Sequence, residues 1–144
     1  MGKEGYIYFM ANERNNVLYL GVTSRLLRRV AEHKTKVNKG FTSKYNCVKL
    51  VYFERFSSIS DAISREKQLK NWKRKWKDSL ISRHNIDWKD LSKSIGVNEK
   101  LISDLRAYVQ EVTDQVRNDC FPDGYKVQRK RIMKQEIAYQ FRND

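Results

Sequence analysis

Five side chains in the first half of this chain could act together on a phosphate: Tyr8, Tyr19, Arg29, His33 and Glu66. A phenol can orient a water or exchange a proton with it, a guanidinium matches phosphate oxygens with a rigid fork of donors, and imidazole takes up a proton near neutrality. Glu66 differs from the others because Ala62, Ile63 and Leu69 flank it at i−4, i−3 and i+3. A carboxylate beside a buried stripe costs free energy unless it is paired or holds a metal. Two uses stand open for it. It could pair with Arg65, Lys67 or Lys70, or it could ligate a hard cation such as Mg2+ or Mn2+, which keeps several waters and takes substrate phosphate as well.

The other residues have plainer uses too. Tyrosine is a good strand residue whose hydroxyl reaches water at the edge of a core. Arg25, Arg29 and His33 recur every four residues and so share one helix face. That row suits a ladder of phosphates, or equally a solvated face opposite an apolar stripe. Farther on, Lys67, Lys70, Lys73, Arg74, Lys75 and Lys77 interleave with Trp72 and Trp76. The tryptophan spacing favours anchoring of a helix in the core, which leaves Lys70, Lys73, Arg74 and Lys77 for phosphates.

The elements that must carry these residues are legible. Residues 5–10 and 17–22 are rich in aromatic and β-branched types, and the polar Ala11-Asn12-Glu13-Arg14-Asn15-Asn16 between them predicts a hairpin. Alternation puts Tyr6 and Tyr8 on one face and Ile7 and Phe9 on the other. Thr23 or Ser24 can cap a helix over residues 24–36, with Leu26, Leu27, Val30 and Ala31 as its apolar stripe. Residues 37–46 read as a polar connection, and Cys47 to Phe53 as a third strand. Ser57 to Ser60 cap a second helix with Ile59, Ala62, Ile63, Leu69 and Trp72 inward; Asp61 suits its N-terminus. Trp76, Leu80 and Ile81 mark a third helix, and residues 85–91 close the compact part.

The predicted order is therefore ββα followed by βαα: an α/β (α+β) fold with a small three-stranded sheet flanked by helices. A boundary is expected at Gly96, giving a domain over 1–95 and a helical tail over 96–144. In the tail Leu101, Leu105, Tyr108, Val109 and Val112 recur at helical spacing and could serve a homodimer. Pro122-Asp123-Gly124 breaks the chain before a mixed segment from Lys126 to Phe141.

Charge narrows the partner. The 144 residues carry a net +13, and residues 1–95 hold 21 Lys and Arg against 9 Asp and Glu, whereas residues 96–144 hold 9 against 8. So strong a positive field attracts polyanions, of which nucleic acid is the commonest. Ribosomal-type binding or an anionic membrane surface fits the charge alone, so charge selects a partner class and no chemistry. Cys47 and Cys120 lie too far apart for a metal-ligand motif, and no apolar run reaches the length of a signal peptide or bilayer span. With no disulfide framework a reducing cytoplasm is the expected location, with the nucleoid open as a site within it, and no membrane partner is expected.

These residues together resemble the GIY-YIG nuclease family, named for its two strand motifs. Here the motifs stand as Tyr6-Ile7-Tyr8, with Tyr6 where the family often has glycine, and as Tyr19-Leu20-Gly21. The resemblance implies that Tyr8 and Tyr19 face the reacting phosphate. The family arginine comes ten positions after the second-motif tyrosine, which selects Arg29 over Arg28, and His33 falls where many members carry histidine. It also implies that Glu66 is the metal ligand and that an asparagine follows. Asn85 is the preferred candidate, since Asn71 comes too soon, although Asn85 would serve equally as a helix-terminating residue.

The run from Leu50-Val51-Tyr52-Phe53-Glu54 into Arg65-Glu66-Lys67-Gln68-Leu69-Lys70 is similar to the small single-domain bacterial members. The resemblance covers residues 5 to about 91 and implies a metal-dependent endonuclease. No target-recognition domain accompanies it, so low sequence specificity or recognition of nucleic-acid structure is expected, with DNA favoured over RNA. Arg25, Arg28, Lys34, Lys70, Lys73, Arg74 and Lys77 are the expected nucleic-acid contacts. Tyr8 would help position or deprotonate the attacking water; tyrosine is a poor base at neutral pH unless adjacent cations lower its pKa, which Arg29, His33 or the metal could do. The competing class is a basic module that holds nucleic acid without cutting it.

Overall fold

The computed structural model describes residues 3–36 and 40–118. Three antiparallel strands, β1 (Gly5–Ala11), β2 (Leu18–Thr23) and β3 (Lys49–Phe56), form one sheet in the order β2-β1-β3. Asn12 shapes the hairpin turn: its side-chain oxygen accepts from the backbone N–H groups of Asn16 and Val17, and Asn15 takes a left-handed conformation at φ 57°. β1 is central, which is why its residues from Ile7 to Ala11 are wholly buried.

The two faces of β1 pack differently. Ile7, Phe9 and Ala11 join Ala62 and Leu69 of α3 (Ile59–Lys70) and Ile81 of α4 (Arg74–His84) in one core cluster. Close packing of α3 on β1 depends on Gly5, where a Cβ would come within 2.7 Å of Ala62 Cβ and 2.8 Å of Ile59 Cα. The other face, carrying Tyr8, is covered by α1 (Leu26–Thr35), which buries Tyr8 completely while Tyr6 near the start of the strand stays half-buried.

Local capping follows the sequence at α3 and departs from it at α1. Ser58 caps α3 by accepting from Asp61 N–H, whereas α1 has Arg25 at its N-cap and no side-chain cap; Thr23 Oγ1 instead accepts from Arg25 N–H in the turn before the helix, so the expected Thr23 or Ser24 cap is corrected. Residues 85–91 close the domain as expected: Leu91 N–H donates to the Leu50 carbonyl while Asp90 Oδ1 accepts from Leu50 N–H. Three further expectations are corrected. Part of the connection after α1 is a one-turn helix, α2 (Phe41–Lys44). Ile63 faces water at 38% exposure because it sits at the margin of the α3 stripe, and Trp76 is 53% exposed instead of anchoring the core as Trp72 does.

The chain divides into two compact units, 1–98 and 99–144; a single 3-10 turn (Lys93–Ile95) ends at Gly96, whose φ of 102° suits glycine. In the second unit α5 (Glu99–Asn118) accounts for the helical spacing of Leu101 to Val112. Cys120, the break at residues 122–124 and the segment 126–141 lie outside the described residues. Among the described residues no helix is long and apolar enough to cross a membrane.

Candidate active site

Register brings the two tyrosines together. Tyr8 pairs with Gly21 and Met10 with Tyr19, so Tyr8 and Tyr19 lie diagonally on one face of adjacent strands with ring centroids 6.2 Å apart. Gly21 makes room for this: a Cβ there would fall 2.4 Å from both Cζ and Oη of Tyr8. From α1 above, His33 reaches down, and its Nε2 lies 2.8 Å from the Tyr8 hydroxyl. His33 Nδ1 is in turn 2.9 Å from Thr42 Oγ1 of α2. A neutral imidazole donates through one ring nitrogen and accepts through the other, so both contacts are satisfied by one ring.

Arg29 stands one turn before His33, and its guanidinium interacts with the Tyr8 hydroxyl and with Glu32. Burial works against the Arg29 charge, yet Tyr8 and Glu32 beside it raise its pKa. The Tyr8 phenol is pushed well above its ordinary range by burial, with Tyr19 adding to the effect and Arg29 opposing it only in part. Arg29 and His33 therefore do not lower the Tyr8 pKa below its ordinary value. Loss of solvent outweighs one cation, and His33 supplies no second one, because burial and then Arg29 lower its pKa to about 4.

Glu66, on α3, is buried against the sheet and pairs with the exposed ammonium of Lys70. Lys70 also lies within electrostatic range of Tyr19, whose phenol helps to raise its pKa after the larger effect of Glu66. Lys70 thus lies between the carboxylate and the Tyr19 phenol in charge terms, interacting with both. Among the described residues no group of three or more His, Cys, Asp or Glu could hold a metal; a buried carboxylate whose partner is an exposed lysine is the one donor of this kind on α3 that could meet a hard cation retaining its waters.

A family model described as the GIY-YIG catalytic domain matches residues 4–79, which contain both tyrosine motifs, Arg29, His33 and Glu66. The chain belongs to the GIY-YIG family. Its domain is that of a nuclease family, whose substrate is nucleic acid. The chain is 35% identical over 82 residues to a UPF0213 protein of Natronomonas pharaonis, covering 57% of this chain and 95% of that one. It is 34% identical over 92 residues to a UPF0213 protein of Clostridium perfringens, covering 64% and 98%. A third, from Listeria innocua, is 32% identical over 77 residues, covering 54% and 86%. A third or more of this chain has no counterpart in these shorter relatives. No solved structure is significantly similar to the chain.

Within this GIY-YIG domain the remaining expected residues divide. Asn85 is engaged structurally: Nδ2 donates to the carbonyls of Val51 and Lys89, and Oδ1 accepts from Lys89 N–H, which fixes the turn after α4. Lys34 turns its ammonium inward to the Val48 carbonyl and to Asp90, leaving the side chain 14% exposed. Arg74 holds the hairpin turn through the carbonyls of Asn15 and Asn16 and pairs with Asp78. Arg25 and Lys73 are exposed at helix N-termini, Lys77 is half-buried on α4, and Arg28 pairs with Glu32.

Two participants escape a reading of the sequence. Thr42 lies in a segment whose composition reads as a loop, and only the fold brings its hydroxyl to His33. Glu32, 5% exposed, binds both Arg28 and Arg29 and so aims the guanidinium. Its i+3 and i+4 spacing from those arginines is the signal that could have found it.

Proposed function

We propose that this protein is a divalent-metal-dependent endonuclease that hydrolyses phosphodiester bonds in nucleic acid, DNA in preference to RNA, with low sequence specificity. Its net +13 suits the cytoplasmic nucleoid as its place of action. The observation that carries the reading is the 2.8 Å contact between the Tyr8 hydroxyl and a neutral His33, with Arg29 beside it.

Because the Tyr8 phenol holds its proton, it serves as a relay. As the oxygen of the attacking water bonds to phosphorus, Tyr8 accepts the water's proton and passes its own to His33 Nε2. The phosphorus–oxygen bond opposite breaks, and the leaving oxygen takes a proton from solvent. Arg29 stabilises the charge that builds on the phosphate oxygens, while Tyr19 orients the phosphate or the water. In the tautomer protonated at Nδ1, Thr42 Oγ1 accepts from that N–H and so leaves Nε2 free to receive the proton.

Glu66 would hold the divalent ion, displacing Lys70, and a bound ion would supply further neutralisation of the phosphate charge. Asn85 has no part in this scheme. The Glu66–Lys70 pair itself favours a second reading, a basic module that binds nucleic acid without cutting it. A cleavage assay on DNA and RNA panels with Mg2+, Mn2+ or chelator separates the two, and binding without cleavage under every ion supports the module.

A further inference from the structure

Phe41 opens α2 and Tyr45 follows its last residue; their rings lie 4.7 Å apart, and they are 48% and 42% exposed. Single apolar side chains on a surface need no explanation. These two are not single. The Phe41 ring meets Tyr19 at 6.2 Å, and Tyr19 meets Tyr8 at 6.2 Å, so four aromatic rings run unbroken from the buried phenol to solvent. The row is held at its base by Thr42, which is buried and bonded to His33, so a shift of α2 would disturb the imidazole. Lys44 places an ammonium 5.4 Å from the Tyr45 ring on the same segment.

We infer that Phe41 and Tyr45 form a stacking platform for an unpaired nucleobase beside the phosphate that is cut, so the preferred substrate is single-stranded or carries a displaced nucleotide at the cleavage point. The inference rests on the nuclease reading for the position of that phosphate. An aromatic face accepts any base, which agrees with low sequence preference. In a paired duplex both faces of each base are covered by its neighbours, and only a base outside the stack can lie on Phe41. Lys44 at the Tyr45 end of the row and Arg29 at the Tyr8 end complement the phosphates on either side of such a base. An apolar peptide would make no use of that charge.

The test uses the full chain and oligonucleotides with 2-aminopurine beside the cleaved phosphate, offered as single strand, paired duplex and duplex with a displaced flap. Quenching of the fluorophore is expected on the unpaired forms. The ratio of flap to duplex affinity should fall about tenfold in Phe41→Ala and Phe41→Leu and persist in Phe41→Trp. Phe41→Leu keeps the apolar volume, so it separates loss of the ring face from misfolding.

An unchanged ratio in both variants, each folded by circular dichroism, overturns the platform. So does a wild-type dimer that becomes monomeric in Phe41→Ala, since the rings would then cover a second copy. The two readings fail separately. Quenching without cleavage under any divalent ion sustains the platform and removes the nuclease, whereas cleavage without quenching removes the platform alone.

Discussion

Tyr8 occupies the space that a side chain at Gly21 would need: a Cβ on Gly21 falls 2.4 Å from the Tyr8 hydroxyl oxygen. The glycine of the second motif thus exists for the tyrosine of the first, on the strand directly opposite. Gly21→Ala must push the ring away from His33 or bend β2. Overpacking of this kind costs about 1–3 kcal/mol. Urea denaturation should show that loss together with a lower cleavage rate, and an alanine variant with wild-type stability and rate would show that the ring is free to move.

Removing only the hydroxyl isolates the relay. Tyr8→Phe keeps the packing of a residue that is 0% exposed, so the fold should persist while cleavage drops by roughly 100-fold or more. His33→Gln should lower the rate to a similar degree, and the double variant should lose little beyond either single one, because both act on one proton path. Additive losses in that cycle would separate the two residues.

The buried imidazole ties stability to pH. The His33 pKa is about 4 in the folded chain against 6.5 for an ordinary histidine, so between these values the unfolded chain binds more protons. Stability from this group is therefore fully present above about pH 6.5, declines as pH falls toward 4 and is constant below. The full difference is on the order of 3 kcal/mol. Denaturation midpoints measured from pH 4 to 7 should rise with that slope in the wild type and flatten in His33→Gln; a wild type as flat as the variant would place the proton elsewhere.

Metal and phosphate roles separate by charge. Glu66→Gln removes the anionic ligand and should abolish divalent-dependent cleavage while binding persists, since the cationic surface is untouched. Arg29→Ala should suppress cleavage by about 3 kcal/mol of transition-state stabilisation. Cleavage and binding measured on the same substrate decide the matter, and undiminished cleavage in Glu66→Gln would remove the one-carboxylate assignment.

With 21 Lys and Arg against 9 Asp and Glu over residues 1–95, affinity should fall steeply with salt and vary little with sequence. Titrations at several salt concentrations give the slope. A flat dependence would remove the basis of both the nuclease and the binding-module readings.

The order of elements and the shared helix face of Arg29 and His33 were legible because they depend on short periods, whereas the resemblance to the family motifs singled out Tyr8 with Tyr19 and Arg29 over Arg28. Alternation along two hairpin strands sets the tyrosine face, and i, i+4 spacing sets the arginine beside the histidine. Tertiary structure decided the rest through contacts between residues distant in the chain. The carbonyl of Val48 and the carboxylate of Asp90 drew Lys34 inward, and the carbonyls of Val51 and Lys89 took the Asn85 amide. Burial under α1 turned Tyr8 from a prospective base into a proton-holding phenol, because desolvation of a charge depends on what covers it. The exposure of Phe41 and Tyr45 beside Tyr19 likewise arises only when α2 is set against the sheet, since a four-residue helix is too short for its sequence pattern to announce.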